Sequence, residues 1–172
     1  RIALATACVL CAFSVTTQAA DPAARIKAGI IGMDAHALPW TTILNDPQVS
    51  GELAEMVVVA AYPGGSPDIP QSMELLNAQV EPVRALGVEI VDSIDELLEK
   101  VDVVLLLSID GRKHLEQVRP VIAAGKPVFV DKPVAGSLVD AIKIFQLAKE
   151  HDVPCFSSSS LRYDEQTANV RN

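Results

Sequence analysis

The feature that most constrains this chain is a series of short, almost wholly apolar runs set between helical stretches: Met56 to Ala61, Val101 to Leu107 and Pro127 to Val130. A strand that alternates apolar and polar residues shows one face to water, whereas a strand apolar throughout is buried on both faces, as in a parallel sheet covered by helices. Shorter runs at Lys27 to Gly32, Val88 to Val91 and Val153 to Phe156 bring the number of predicted strands to six, with helices predicted over 36–45, 71–86, 93–100, 112–124 and 137–151. Such an alternation predicts the α/β class, a doubly wound parallel sheet, over residues 26–160.

Local signals agree with that division. Ser93-Ile94-Asp95-Glu96 matches the S-x-x-E capping box at a helix start. Gly125 fits the left-handed residue that closes the helix before it. Pro39 is tolerable in a first turn, while Pro82 and Pro120 are expected to kink or break their helices. The last helix is expected to turn Ile142, Phe145, Leu147 and Ala148 inward.

Aromatic residues make up only 4% of the 172, against 49% hydrophobic overall, so the core is expected to be aliphatic. Asp and Glu number 22 against 14 Lys and Arg, a net charge of −8, which argues against nucleic acid or an anionic membrane as partner. From Ile2 to Ala20 there is no charge. Thr17 and Ala19 fit the small positions of a signal-peptidase site, with Arg1 as remnant of a positive leader, so residues 1–20 are expected to be an export signal trimmed at its amino end and the protein to be exported, periplasmic in a bacterium. The alternative for this stretch is a short membrane anchor. Residues 21–25 are a polar linker. Cys8 and Cys11 would leave with the signal, and Cys155, alone in a strand, reads as a small buried hydrophobe.

In open α/β sheets ligands lie beyond the carboxyl ends of the strands, and three segments there carry candidate chemistry. The first is Gly32-Met33-Asp34-Ala35-His36-Ala37, aligned with the G-x-G-x-x-G turn that cradles a dinucleotide pyrophosphate. Gly32 keeps the first place and Ala37 fills the third; Asp34 at the second either repels a phosphate or caps the following helix. No acid ends the second strand at Ala61-Tyr62, and Gly64-Gly65-Ser66 is either a surface loop or a set of amides for a 2′-phosphate. The second segment, Ser108 to His114, places a histidine on the ligand side, as a functional or a capping group. The third is Asp131-Lys132-Pro133, with a lysine placed for chemistry and a proline stiffening the next step.

Taken with Asp95-Glu96-Leu97-Leu98, the run from Asp102 through Ser108 to His114, and Gly125-Lys126-Pro127-Val128-Phe129-Val130-Asp131-Lys132-Pro133, the sequence resembles the nucleotide-binding half of the Gfo/Idh/MocA oxidoreductases, whose hallmark is G-K-x-V-x-x-E-K-P. The resemblance covers 27–163, and it implies a Rossmann-like domain that binds NAD or NADP. It implies that Lys132 orients substrate and nicotinamide, that Asp131 stands in for the motif glutamate, and that His114 corresponds to the histidine after the fourth strand. Gly32, Asp34, Ala37, Tyr62, Ser108 and Pro133 are the expected cofactor-binding positions; no metal site is expected. Arg162-Tyr163 matches the pair leading into the family's second domain, so residues 161–172 are expected to begin a connection to a domain absent from this chain. That domain, an open antiparallel sheet, carries the family's catalytic histidine or aspartate and offers a surface for homo-oligomers.

The expected function is therefore an NAD(P)-dependent oxidoreductase acting on a small-molecule substrate such as a sugar or cyclitol. Asp34 in the glycine turn and the absent acid after the second strand favour the alternative, a family-like binding protein without turnover. A periplasmic solute-binding lobe accounts for the leader and the α/β pattern but not for Asp131-Lys132-Pro133.

Overall fold

The computed structural model describes residues 25–165 together with 167 and 170. The expected export segment and residues 21–24 of the linker lie outside the described residues. No helix among the described residues is long and apolar enough to cross a membrane.

The elements are β1 (Ile26–Ile31), α1 (Ala37–Leu44), a 3-10 turn (Gly51–Glu55), β2 (Met56–Tyr62), α2 (Pro70–Ala85), β3 (Glu89–Ile90), α3 (Ile94–Leu98), β4 (Val103–Leu106), α4 (Gly111–Ala123), β5 (Val128–Val130), α5 (Leu138–Glu150), β6 (Cys155–Phe156) and a closing 3-10 turn (Ser160–Tyr163). Every strand pairing is parallel, and the sheet order is β3-β2-β1-β4-β5-β6. The chain winds outward from β1 to β3 and then returns to the other side of β1. The carboxyl ends of β1 and β4 therefore form the point where strand order reverses, the place where such sheets bind ligands.

Successive side chains of β1 enter opposite layers, as the two-residue period of a strand requires. Ala28 and Ile30 pack with Ala37, Leu44 and Val83 of α1 and α2. Ile31 joins Leu106 and Val130 against Leu97, Val118, Ile122 and Ile144 of α3, α4 and α5. Burying each of these large aliphatic side chains contributes about 1.5–3 kcal/mol, so apolar runs without alternation are what this two-sided sheet needs.

Several local expectations are corrected. Helix α2 continues through Pro82 as a single element. Pro82 and Ala78 are both exposed, so the Ala78 carbonyl that loses its helical partner faces water. Helix α4 likewise runs through Pro120. The edge strands are shorter than their apolar runs: β3 pairs with β2 only at Ala60 and Ala61. In α5 the inward stripe is narrow. Ile144 and Ala148 are buried and Leu147 packs against the core, but Ile142 is 48% and Phe145 40% exposed. The Ser93 hydroxyl accepts from the Glu96 amide at 3.1 Å, while the Glu96 carboxylate reaches the Asp92 amide at 3.2 Å, one residue earlier than the usual reciprocal arm. Gly125 has φ +69°, the left-handed closing residue expected of it. Cys155 is half-buried, and burial pushes its thiol up.

The two isoleucines of α5 separate the expected face from the observed one. In urea unfolding, Ile144→Ala is expected to lose about 2–5 kcal/mol, as a fully buried large-to-small change does, and Ile142→Ala to stay within about 0.5 kcal/mol. Equal losses would contradict this orientation of the helix.

Candidate functional site

The turn after β1 is shaped by close approach. Gly32 has φ +92°, and a Cβ there would lie 2.5 Å from the Ser108 amide nitrogen, so only glycine fits. Its own amide donates to the Tyr62 carbonyl at 2.9 Å, and that of Met33 to Pro63 at 2.9 Å. The loops after β1, β2 and β4 therefore meet at Gly32. Ala37, fully buried, lets α1 sit close against the sheet.

Asp34 follows neither of its expected alternatives. Its carboxylate is 1% exposed and accepts from the Ile109 amide at 2.7 Å and the Ser72 hydroxyl at 3.3 Å. It therefore points into the protein, not out toward a phosphate. It does not cap α1 either: His36 holds the cap position with no side-chain bond, and Asp34 contributes only its backbone carbonyl, accepting from the Ala37 amide at 3.1 Å. Burial pushes the Asp34 carboxyl up, against the lowering effect of its two hydrogen bonds.

A second carboxylate extends the same wall. Asp110 accepts from the Arg112 guanidinium through both oxygens at 2.8 Å and from the Ser66 hydroxyl at 2.7 Å. Arg112 also pairs with Asp68 at 2.8 Å. The Ser66 amide donates to the Ser72 hydroxyl oxygen at 3.1 Å, so Asp34 and Asp110 belong to one network across three loops. The Arg112 guanidinium holds the Asp110 carboxyl well below its ordinary range, and Asp110 in turn raises Arg112.

At the carboxyl end of β5, Asp131 is nearly buried and Lys132 and Pro133 are exposed, joined by a cis peptide bond. The Lys132 ammonium makes no hydrogen bond or ion pair among the described residues. Asp131 Oδ1 accepts from the Lys132 amide at 2.8 Å, and Oδ2 lies 2.5 Å from His36 Nδ1. The His36 ring stacks on Trp40 with centroids 5.1 Å apart. His36 carries no signal in the sequence: it stands inside the aligned glycine turn, where only glycine positions carry the fingerprint, and its partner lies 95 residues away.

The expectation of a catalytic His114 is corrected. Its ring is fully buried, with Nε2 2.7 Å from the Ser108 carbonyl and Nδ1 3.1 Å from that of Val134. Neither nitrogen is left for a substrate, and the ring instead ties the loop after β4 to the loop after Pro133. Ser108 is also inside, its hydroxyl donating to Gln117 Oε1 at 3.0 Å.

Tyr62 lines a cleft of about 510 Å³ with Gly64 and Gly65 after β2, Asp92 and Asp95 after β3, and Lys113 and Glu116 on α4. No acid ends β2, and the cleft's carboxylates come instead from neighbouring elements: Asp92 and Asp95 at the start of α3 and Glu116 on α4. No group of three or more potential metal ligands occurs among the described residues.

The model of the oxidoreductase family with an NAD-binding Rossmann fold, Gfo/Idh/MocA, matches residues 26–159. The chain belongs to this family. No curated protein sequence matches it. Among solved structures it is similar to scyllo-inositol dehydrogenase from Lactobacillus casei with bound NAD(H) and scyllo-inositol (22% identity, TM-score 0.59, covering 86% of this chain and 40% of that one). It is also similar to UDP-N-acetylglucosamine 3-dehydrogenase from Acidithiobacillus ferrooxidans (15%, TM-score 0.65, 86% and 42%). A 3-ketoreductase from Actinomadura kijaniata in complex with TDP-benzene and NADP is a third (20%, TM-score 0.61, 85% and 42%). At these identities the likeness is one of fold, and the chain spans about two fifths of each structure's length.

The residues present fit a dinucleotide of the kind this Gfo/Idh/MocA domain is built for. The β1 turn keeps the one glycine whose Cβ would collide, the third position is small and buried, Asp34 is turned inward, and an open cleft lies beside the turn. The network that shapes this wall has a pH signature. Asp110 is lowered from 3.8 in the fold, so the stability it contributes is complete above that pH and is lost as pH falls below it. Asp34, raised from 3.8, opposes this: its burial penalty is full above its folded value and is relieved as pH falls toward 3.8. Asp110→Asn is expected to destabilise the protein by about 1–3 kcal/mol at neutral pH, with the gap narrowing below about pH 4. Urea unfolding at several pH values checks this, and a gap independent of pH would contradict it.

Proposed function

We propose that this chain is the nucleotide-binding part of an NAD-dependent dehydrogenase that acts on a hydroxyl-bearing carbon of a sugar, cyclitol or related metabolite. The observation that carries the reading is Lys132: an exposed ammonium, unpaired among the described residues, at the carboxyl end of β5 and on the crevice side of the sheet. The inositol and sugar-nucleotide dehydrogenases among its structural neighbours support the substrate class.

A bound dinucleotide supplies the hydride acceptor or donor. Lys132 donates a hydrogen bond to the reacting oxygen and stabilises the negative charge that develops on it. Asp131 fixes the backbone beneath that lysine by accepting from its amide. The Gly32 to Ala35 turn would hold the diphosphate, since the Asp34 carboxylate is directed inward to Ile109 and Ser72. Asp92, Asp95 and Glu116 stand against a single Lys113 around the cleft; carboxylates accept from ribose hydroxyls but repel a 2′-phosphate, which favours NAD over NADP.

One observation favours the second reading, a binding protein without turnover. The Leu38 amide, in the first turn of α1, is taken by Gln79 Oε1 at 2.8 Å, so one donor that a helix start offers an anion is already used. Dinucleotide binding alone does not separate the readings; turnover does. For localisation, we propose export, supported by the uncharged segment from Ile2 to Ala20; amino-terminal sequencing of protein from a periplasmic fraction is expected to start near Asp21, and recovery only with cells' soluble interior would contradict it.

A change in NADH fluorescence is expected when the full-length protein is titrated with it, with NADPH at least about tenfold weaker, an ordinary penalty for a phosphate set among carboxylates. Lys132→Ala is expected to lower kcat by about 10²–10³ with NADH affinity kept. No binding at millimolar NADH, or full turnover by the variant, would contradict the proposal.

A further inference from the structure

We propose that the loop between β2 and α2, residues 63–69, is a latch across the dinucleotide crevice, closed by Ser66 on Asp110 and by Asp68 on Arg112, and that a dinucleotide enters only as it opens. The inference rests on the dinucleotide-binding reading above.

Topology fixes what the latch crosses. Strand β1 lies between β2 and β4 in the sheet, so a bond from the loop after β2 to the loop after β4 passes over the carboxyl end of β1. That end is the Gly32 turn, where a sheet of this kind seats a diphosphate. A Cβ added at Gly64 would lie 3.7 Å from Gly32 Cα and 3.5 Å from Gln117 Nε2, ordinary contact distances. The gap between Gly64 and Gly32 is therefore that of a methyl group, too small for a phosphate. Gly32, Met33 and Asp34 are all buried beneath these loops.

Two ties hold the far end of the loop. The Ser66 hydroxyl donates to Asp110 Oδ2 at 2.7 Å, with both residues buried. Two residues on, Asp68 pairs with Arg112 at 2.8 Å, both side chains more than half exposed. Asp110 accepts from the same guanidinium, so both ties converge on the first turn of α4. They are unequal: a buried hydrogen bond to a carboxylate is strong, whereas an exposed ion pair holds little by itself. The Ser66 amide also donates to the Ser72 hydroxyl oxygen at 3.1 Å, a bond that breaks as the loop lifts.

The frame beneath does not move with the latch. Asp34 is held by Ile109 and Ser72, and both lie outside residues 63–69. At the near end Gly64 and Gly65 have φ +64° and +111°, and two glycines in succession give the loop a hinge with conformations closed to other residues. A site that is shut in most molecules binds more weakly by the fraction that is open, and its binding rate levels off at the rate of opening. After entry the loop folds back onto the bound dinucleotide.

Stopped-flow binding of NADH to the full-length protein tests the latch. In the wild type the observed rate is expected to level off as NADH rises. Ser66→Ala combined with Asp68→Asn removes both ties and leaves Asp110 paired with Arg112, so no buried charge is orphaned. This double variant is expected to bind NADH about 3–30-fold more tightly, with its plateau rate raised by a similar factor. Without NADH, amide hydrogen exchange of residues 63–69 is expected to quicken in the double variant while β1 and β4 stay unchanged, the mark of a local opening. Asp68→Asn alone, which alters only an exposed pair, is expected to shift affinity the same way by about twofold. Unchanged affinity and rate in a double variant whose loop exchanges faster would overturn the latch alone, as would unchanged exchange of the loop or a wild-type rate that never levels off. Failure of both proteins to bind millimolar NADH would overturn the dinucleotide-binding reading and the latch with it.

Discussion

The crevice depends on the buried carboxylate of Asp34. A desolvated charge in a protein interior is costly unless its hydrogen bonds are met, and Asp34 meets them by drawing in the Ile109 amide from the loop after β4 and the Ser72 hydroxyl from the start of α2. Satisfying that one group fixes three loops relative to one another. Gly32 can then approach Ser108 as closely as it does, and Ser66, Asp110 and Arg112 complete the wall. A residue that first looks like damage to a phosphate-binding turn is thus a cross-link beneath it.

The second carboxylate at the strand ends is used differently. Asp34 faces neutral donors in the interior, whereas Asp131 lies between an imidazole that is partly open to solvent and the backbone of an exposed lysine. Their environments set the two acids apart: one holds the frame, the other ties the His36 ring to the backbone of Lys132.

The parallel sheet was legible because its evidence is local. Apolar runs such as Met56 to Ala61 are dictated by burial on both faces, and the Gly125 cap and the Ser93 capping segment are written within a few residues. Lys132 was legible for the same reason, standing directly after a buried strand. What escaped depends on contacts between distant segments. The Asp34 side chain is decided by Ile109, 75 residues away, and His36 by Asp131. His114 lies on the ligand side of the sheet, as expected, but the loop carrying Val134 closes over it. The acids of the cleft belong to a loop next to the one searched, because strand neighbours in space are not neighbours in sequence. In α5 the apolar residues outnumber the inward positions, so periodicity alone admitted Ile142 and Phe145 where the packing took Ile144 and Ala148.

The crevice at the carboxyl ends of β1, β2 and β4, framed by Asp34, is the proposed dinucleotide site. Amide hydrogen exchange of the full-length protein with and without NADH tests it most directly. Added protection is expected to concentrate in residues 32–37, 62–66 and 92–96, with helix α5 unchanged. Protection confined to segments outside that crevice, or none at saturating NADH, would contradict it.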